Sequence, residues 1–371
     1  MNARIVVLPG DGVGPEVTRE AVRALSAVAA GWGHHFDLVT LPVGGAAIDV
    51  RGVPLPPETA AACVDADAVL LGAVGDARHD AGRVRPEQGL LELRRVMGGF
   101  ANLRPIAVHA AGARMSPLQP ARLAGVNMLF VRELTGGIYF GEKTREVLPE
   151  GGEVARDVCT YTTAEIERVT RRAAHLARSR RRRLTSIDKA NVLETSRLWR
   201  SVVSRVVKDE FPDVELEHLL VDAAAMHLLL RPADFDVLVT ENMFGDILTD
   251  EAAVLAGSIG LLPSASLGGG TRGLYEPVHG SAPQLAGRDA ANPVGAILSA
   301  ALLLRHSLGL EQEARAVEVA TDEALESEIL TADLAPAGVE PAGTAAVGGA
   351  IAQRIARSAP QAGRAREATH A

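Results

Sequence analysis

Residues 236–270 read DVLVTENMFGDILTDEAAVLAGSIGLLPSASLGGG, and this stretch restricts the fold more than any other. Val237, Leu238 and Val239 form a short apolar run that predicts a buried strand. Glu241 and Asn242 make a polar turn, and an apolar helix follows that carries Asp246 and Asp250. Residues four apart stand one above the other on a helix face, where two like charges cost stability. A lone Asp-x-x-x-Asp is most often a solvated face. Here Ile247, Leu248, Ala252, Ala253 and Leu255 make the helix apolar nearly all round, which predicts burial, and a buried carboxylate pair needs a cation. A hard divalent ion, Mg²⁺ or Mn²⁺, takes carboxylate oxygens and keeps other positions for substrate and water.

The same order of apolar run, turn and helix recurs along the chain. Residues 5–8 (IVVL) lead into PGDGVGPE, and further strands are expected at 68–72, 127–131, 184–187 and 217–221. Helical spacing marks residues 163–177, 293–304 and 311–325, and a loop and terminal helix are expected from 335 onward. This alternation predicts an α/β fold. A dinucleotide fingerprint in the first turn would need a third glycine where Pro15 stands. Pro15 suits the first turn of a helix instead, with Gly12 and Gly14 allowing a tight backbone. Residues 357–371 are expected to be a disordered tail, and no internal repeat is visible.

Composition removes several classes of function. The 371 residues are 47% hydrophobic but only 3% aromatic, so the core must be mostly Ala, Val, Leu and Ile. A net charge of −8 gives no support to nucleic-acid binding. The one basic run, residues 178–183 (RSRRRR), lies between a helix and a strand and reads as a solvated helix end. Cys63 and Cys159 make neither a disulfide framework nor a metal spacing. The chain opens on a strand, with no signal-peptide pattern and no apolar run long enough for a bilayer. A soluble cytoplasmic protein is therefore expected.

Several polar residues stand where an open α/β sheet binds ligands. Leu90, Leu91, Arg94 and Arg95 share one helix, and Arg104 follows shortly; arginines so grouped suit bidentate capture of carboxylates, although Arg94 alone would read as a surface arginine. Arg132 ends a strand, and Tyr139 follows two glycines on a loop, where it is either packing or a proton donor. Lys189 lies at a strand's C-terminal end, a place for a general base. Asp222 begins a helix as either an N-cap or a third carboxylate for a metal. Residues 276–293 form a long polar loop of the kind that carries function.

Together LPGDGVGPE, GLLELRR with FANLRP, VRELTGGIYFG, SIDKANVLE, VDAAAMHL, ENMFGDILTDEAAVLAGSIGLLPSASLG, and EPVHGSAP with AANP resemble the β-decarboxylating dehydrogenases, over about residues 4–355. The resemblance implies an α/β, two-domain fold of the isopropylmalate dehydrogenase type, not a Rossmann fold. Residues 1–103 and 257–356 would make a discontinuous, cofactor-side domain. Residues 104–256 would make a second domain with the dimer interface, and the active site would lie in the cleft.

The implied reaction is oxidation at C2 of a malate by NAD⁺ with loss of the β-carboxylate as CO₂. Asp246 and Asp250 match the family's metal ligands, with Asp222 lent by the neighbouring subunit of a homodimer. Arg94, Arg104 and Arg132 match the holders of the malate carboxylates. Lys189, also lent across the dimer, matches the base that takes the hydroxyl proton, and Tyr139 the group that reprotonates the enol carbon. The cofactor would fall on Glu276, His279, Gly280, Ser281, Ala282, Pro283, Gln284 and Asn292, with Asn191 near the nicotinamide. Leu90 and Leu91, joined by Val192 of the neighbouring subunit, stand where the family contacts the C3 substituent. An apolar wall there favours the isopropyl group of 3-isopropylmalate over a third carboxylate; D-malate or tartrate is the second choice. A non-catalytic regulatory subunit would have lost some of these residues, and this chain retains them. One departure concerns the cofactor: NAD-using relatives commonly carry an acidic residue where Gln284 stands, and NADP-using ones lysine followed by tyrosine. Gln284 and Leu285 match neither, and Arg288 is close in sequence.

Overall fold

The computed structural model describes residues 1–79 and 82–360; the expected tail lies mostly outside them. In chain order the elements are β1 (Asn2–Gly10), α1 (Gly14–Trp32), β2 (His35–Thr40), α2 (Gly45–Arg51), α3 (Pro57–Asp65), β3 (Ala68–Ala73) and α4 (Pro86–Val96). There follow β4 (Ala101–Ala107), α5 (Ala110–Ala113), α6 (Pro120–Leu123), β5 (Asn127–Glu133), β6 (Lys143–Val147), β7 (Glu153–Asp157), α7 (Thr163–Arg178), β8 (Arg183–Asp188) and α8 (Glu194–Glu210). The rest are β9 (Glu215–Leu220), α9 (Val221–Leu230), β10 (Val237–Thr240), α10 (Asn242–Ala253), β11 (Pro263–Leu267), β12 (Gly273–Pro277), α11 (Val294–His306), α12 (Glu311–Glu326) and α13 (Thr344–Ser358).

The chain divides into two compact units. The first takes Met1–Gly98, His109–Met115 and the residues from Ser258 on; the second takes Gly99–Val108 and Ser116–Gly257. Within the first, the strands run in the order β2-β1-β3-β12-β11. All neighbours are parallel except β11 and β12. Within the second, the order is β4-β5-β10-β8-β9, and only β4 with β5 is antiparallel. Neither follows the strand order of a Rossmann sheet. A separate antiparallel pair, β6 and β7, extends the second unit.

Local chemistry explains these choices. β3, β5 and β10 are buried almost throughout, as expected of strands covered on both faces. α11 is buried from Val294 to Leu304 and has no charged residue in that span. Each leucine so enclosed contributes about 1.5–3 kcal/mol of transfer free energy. In the first turn, Gly12 has φ of +57°, and a Cβ there would stand 1.9 Å from the Ser281 carbonyl oxygen, so only glycine fits. Pro15 occupies the first turn of α1. Buried Asp11, between the glycines, accepts hydrogen bonds from the Gly45, Ala46 and Gly75 amides at 2.8–2.9 Å and ties three loops together.

Residues 189–193 form the turn between β8 and α8, closed by the Asp188 carboxylate, which accepts the Ala190 amide. Three local expectations need correction. α13 runs on to Ser358, two residues past the expected end. The arginine run is not simply solvated: Arg180 donates to buried Asp236 at 2.8 Å, Arg178 pairs with Asp213, and Arg183 with Glu215. The buried Asp236 carboxylate draws in Arg180 and Arg181. Finally, α10 is not enclosed all round. Met243, Asp246, Ile247, Asp250, Glu251 and Val254 form a stripe open to solvent, with Ile247 59% exposed, while its opposite side packs inward. The acidic residues recur at helical spacing and mark that open face.

Candidate active site

The second unit brings five of the expected residues together. Arg132, at the end of β5, is buried; its Nε and Nη2 donate to Asn242 Oδ1 at 3.0 and 2.7 Å, and its Nη1 to Asp246 Oδ1. Arg104, on β4, donates from Nε to Asn102 Oδ1 at 2.9 Å. Its Nη1 reaches Thr249 Oγ1 at 2.6 Å and Asp250 Oδ1 at 3.3 Å. The Tyr139 hydroxyl donates to Asp246 Oδ2 at 2.8 Å. Two guanidinium groups, two carboxylates and a phenol thus share one patch on the open face of α10. Partial burial, reinforced by the Asp246 carboxylate, pushes the Tyr139 phenol up to about 12, so it keeps its proton at neutral pH.

The surrounding residues fix these positions. Glu133, fully buried, accepts from the Thr135 and Gly136 amides at 2.8 Å and so shapes the loop that delivers Tyr139. Gly137, with φ of +78°, passes so close to Tyr161 that a Cβ would stand 2.6 Å from its hydroxyl. Glu241 caps α10 by accepting the Phe244 amide at 2.7 Å, and burial raises both Glu133 and Glu241 above the usual carboxylate range. Asp246 and Asp250 have side chains 36% and 69% exposed, so the argument from burial for a cation does not hold within one chain. What remains is an all-oxygen donor pair of the kind a hard divalent ion takes, with Asp246 engaged by Arg132 and Asp250 by Arg104.

Lys189 and Asp222 form a pair of their own: Nζ donates to Oδ1 at 2.6 Å, and this bond holds the Asp222 carboxyl below its usual range. Asp222 is not an N-cap, because Leu220 occupies that position and Asp222 lies inside α9. Among the described residues, the only grouping of three ligand atoms within reach of one ion is Asp49, Asp76 and His79 in the first unit. Arg78 already bonds both of its carboxylates. Asp222 therefore does not join Asp246 and Asp250 as a third ligand within one chain. Asn191 and Val192 are exposed on the turn after Lys189.

The remaining candidates lie in the first unit. Arg94 is no ordinary surface arginine: Nη2 donates to Glu276 Oε1 at 2.6 Å, and its Nε is buried with no partner, ready for an anionic ligand. Leu90 packs partly against the core around Leu8, Leu71 and Leu93, whereas Leu91 is 51% exposed on the same helix. Glu276 belongs to β12, and the loop proper begins after Pro277. His279 Nδ1–H donates to the Gly280 carbonyl at 2.9 Å, and burial holds the imidazole neutral-leaning, below its usual range. Its Nε2 is then an acceptor, enclosed and without a partner. An orphaned acceptor beside a glycine turn fits a ligand rich in hydroxyl and amino donors, such as a nucleotide. Ser281 accepts the Val13 amide at 2.8 Å, Ala282 is left-handed, and Pro283 opens a short 3₁₀ turn that leaves Gln284 exposed. Asn292 is committed to Asp333 and the Val294 amide.

Comparison with known proteins identifies the family. The family model for isocitrate/isopropylmalate dehydrogenase matches residues 4–351. The chain belongs to the isocitrate/isopropylmalate dehydrogenase family. It is 57% identical over 327 residues to the 3-isopropylmalate dehydrogenase of Anaeromyxobacter dehalogenans, covering 88% of this chain and 92% of that one. It is 54% identical over 330 residues to the 3-isopropylmalate dehydrogenase of Bacillus subtilis, covering 88% and 90%. Among solved structures, the isocitrate dehydrogenase of Methylococcus capsulatus matches with a TM-score of 0.84 at 34% identity, over 95% of this chain and 99% of that one. A β-decarboxylating dehydrogenase of Thermococcus kodakarensis matches at 0.79 and 35% identity, over 95% and 96%. Family membership carries an oxidatively decarboxylating enzyme with it. The supporting residues Asn242, Thr249 and Glu133 were not singled out from sequence. Their signal is only that polar residues stand in an otherwise buried run.

Proposed function

We propose that this enzyme oxidises 3-isopropylmalate with NAD⁺ and releases CO₂ and 4-methyl-2-oxopentanoate, a step in leucine biosynthesis, as a cytoplasmic homodimer. The observation that carries the reading is the patch of Arg104, Arg132, Tyr139, Asp246 and Asp250 on α10 and its neighbours, in a chain over 50% identical to several 3-isopropylmalate dehydrogenases.

Each residue then has a task. Arg94, Arg104 and Arg132 hold the two carboxylates of the malate by charge-assisted hydrogen bonds. Lys189, lent by the neighbouring subunit, takes the proton from the C2 hydroxyl. Tyr139, still protonated at neutral pH, gives its proton to the carbon that loses CO₂. Leu90 and Leu91, with Val192 of the neighbouring subunit, line the branch of the substrate. Asp246 and Asp250, with Asp222 from the neighbouring subunit, would hold Mg²⁺ or Mn²⁺, which when bound polarises the C2 oxygen and stabilises negative charge on it. Glu276, His279, Gly280, Ser281, Ala282, Pro283, Gln284, Asn292 and Asn191 would hold NAD, which accepts the hydride.

A homodimer is favoured by the surface of the second unit. Met226 and Leu230 on α9 and Ile247 and Val254 at α10 are each about half exposed, and such an apolar stripe is expected to be covered by another chain. Among the described residues no helix is long and apolar enough to cross a membrane. The test is NADH formation by the purified protein with 3-isopropylmalate, D-malate, tartrate and isocitrate, with Mg²⁺ and again with a chelator. Metal-dependent turnover of 3-isopropylmalate above the others is expected. Preference for isocitrate or D-malate would overturn the substrate assignment.

A further inference from the structure

The turn that presents Lys189 is held by residues outside the candidate site. Asp188, the last residue of β8, has a side chain only 1% exposed. Its carboxylate receives Arg200 of α8 at both oxygens, Nε to Oδ2 at 2.8 Å and Nη2 to Oδ1 at 2.9 Å. The same Oδ1 accepts the Ala190 amide at 2.9 Å, which closes the turn immediately around Lys189. The Lys189 amide donates to the buried Ser196 hydroxyl at 3.0 Å, and the Lys189 carbonyl accepts from the Val192 and Leu193 amides. His218 of β9 lies beside the pair, Nδ1 4.0 Å from Asp188 Oδ2, with its Nε2 2.8 Å from Ser204 Oγ. β8 and β9 are parallel, with Asp188 opposite Leu220, so this group sits at the point from which Lys189 and Asp222 both emerge.

We propose that the Arg200–Asp188 ion pair is a positioning device for Lys189. The two-point grip of a planar guanidinium sets the orientation of the carboxylate, the carboxylate sets the Ala190 amide, and the turn so fixed carries the Lys189 side chain to Asp222. A carboxylate this deeply buried needs a counter-charge in any case. Its additional bond to the backbone two residues on turns a stabilising pair into one that aims a side chain. The inference rests on the reading of Lys189 as the group that takes the hydroxyl proton.

The test uses the full-length protein and five variants. Asp188→Asn keeps the shape but removes the charge; Arg200→Lys keeps the charge but gives up the two-point grip. A base displaced by an ångström or less is expected to lower kcat by about 10²-fold in Asp188→Asn and about tenfold in Arg200→Lys, with KM for the malate within about threefold of wild type. Arg180→Lys, at the buried Asp236 pair by the opposite end of β8, is the control and is expected to keep wild-type kcat. Wild-type kcat in both test variants, or an equal loss in Arg180→Lys, would overturn the proposal. If neither test variant folds, Ser196→Ala decides by the same split of kcat from KM, since it removes only the acceptor of the Lys189 amide. A fully active Lys189→Ala would instead remove the reading on which the proposal rests.

Discussion

The phenol of Tyr139 shows how one residue's surroundings prepare it for a task. It is 43% exposed and carries little of the fold, yet its hydroxyl is held on Asp246 and its proton is retained to about pH 12. Tyr139→Phe is expected to lower kcat by about 10²-fold or more, with KM changed far less and the circular dichroism unaltered. Steady-state kinetics beside a spectrum checks this, and an unchanged kcat would take proton donation away from Tyr139. Glu241 offers a prediction in pH. Its carboxyl is raised by burial, so the folded chain binds this proton more tightly than the unfolded chain. Its contribution to stability therefore falls as pH rises from the unfolded value, about 4.3, toward the raised folded one. Glu241→Gln removes that decline, so the stability of the variant relative to wild type is expected to improve between pH 4 and pH 7. Urea unfolding of both proteins at the two pH values measures it.

At the scale of elements, α4 and the loop after β12 carry the residues proposed to select the substrate and the cofactor. Leu90→Ala removes an apolar contact from the proposed wall for the isopropyl group. A loss of about 1–3 kcal/mol in transition-state binding is expected for 3-isopropylmalate, read from kcat/KM, with D-malate affected far less; equal losses would place Leu90 outside the pocket. Gln284 is exposed on the 3₁₀ turn and has no charge with which to repel a 2′-phosphate. Gln284→Asp is therefore expected to raise the NAD/NADP ratio of kcat/KM, mainly by weakening NADP, and kinetics with both cofactors would show it. The elements themselves were unequally legible in the sequence. β1, β3, β5, β8 and β10 announce themselves as short β-branched runs before a turn. β11 reads PSASL, with small and polar residues whose burial comes from tertiary neighbours, and β4 includes a proline. Neither carries a local signal. The site was legible where residue type and position coincide, as at Arg132 and Tyr139. The Arg94–Glu276 bond joins residues 182 apart in sequence, which only folding brings together.

At the scale of the whole molecule, the three carboxylates of the proposed metal site do not gather within one chain, and Lys189 is engaged with its own Asp222. The proposed homodimer would supply the third carboxylate and the lysine from the neighbouring chain. Lys189→Ala and Arg132→Ala proteins, each inactive alone, are expected to regain activity when mixed under conditions of subunit exchange, because one site of each heterodimer has both residues. Exchange confirmed by mass spectrometry without recovered activity would exclude sharing.

The path of the chain has a consequence for synthesis. β3 pairs with β1 on one side and with β12 on the other, and these two partners flank the entire second unit in sequence. At about 5–20 residues per second, the roughly 200 residues between β3 and β12 take about 10–40 s to emerge from a ribosome. Throughout that interval one edge of a nearly all-apolar strand has no partner, while most of the second unit emerges as an uninterrupted segment. The nascent first unit is thus the part of this protein most in need of a chaperone. Slowing translation between codons 74 and 272 is expected to increase aggregation, whereas slowing it after codon 277 is not.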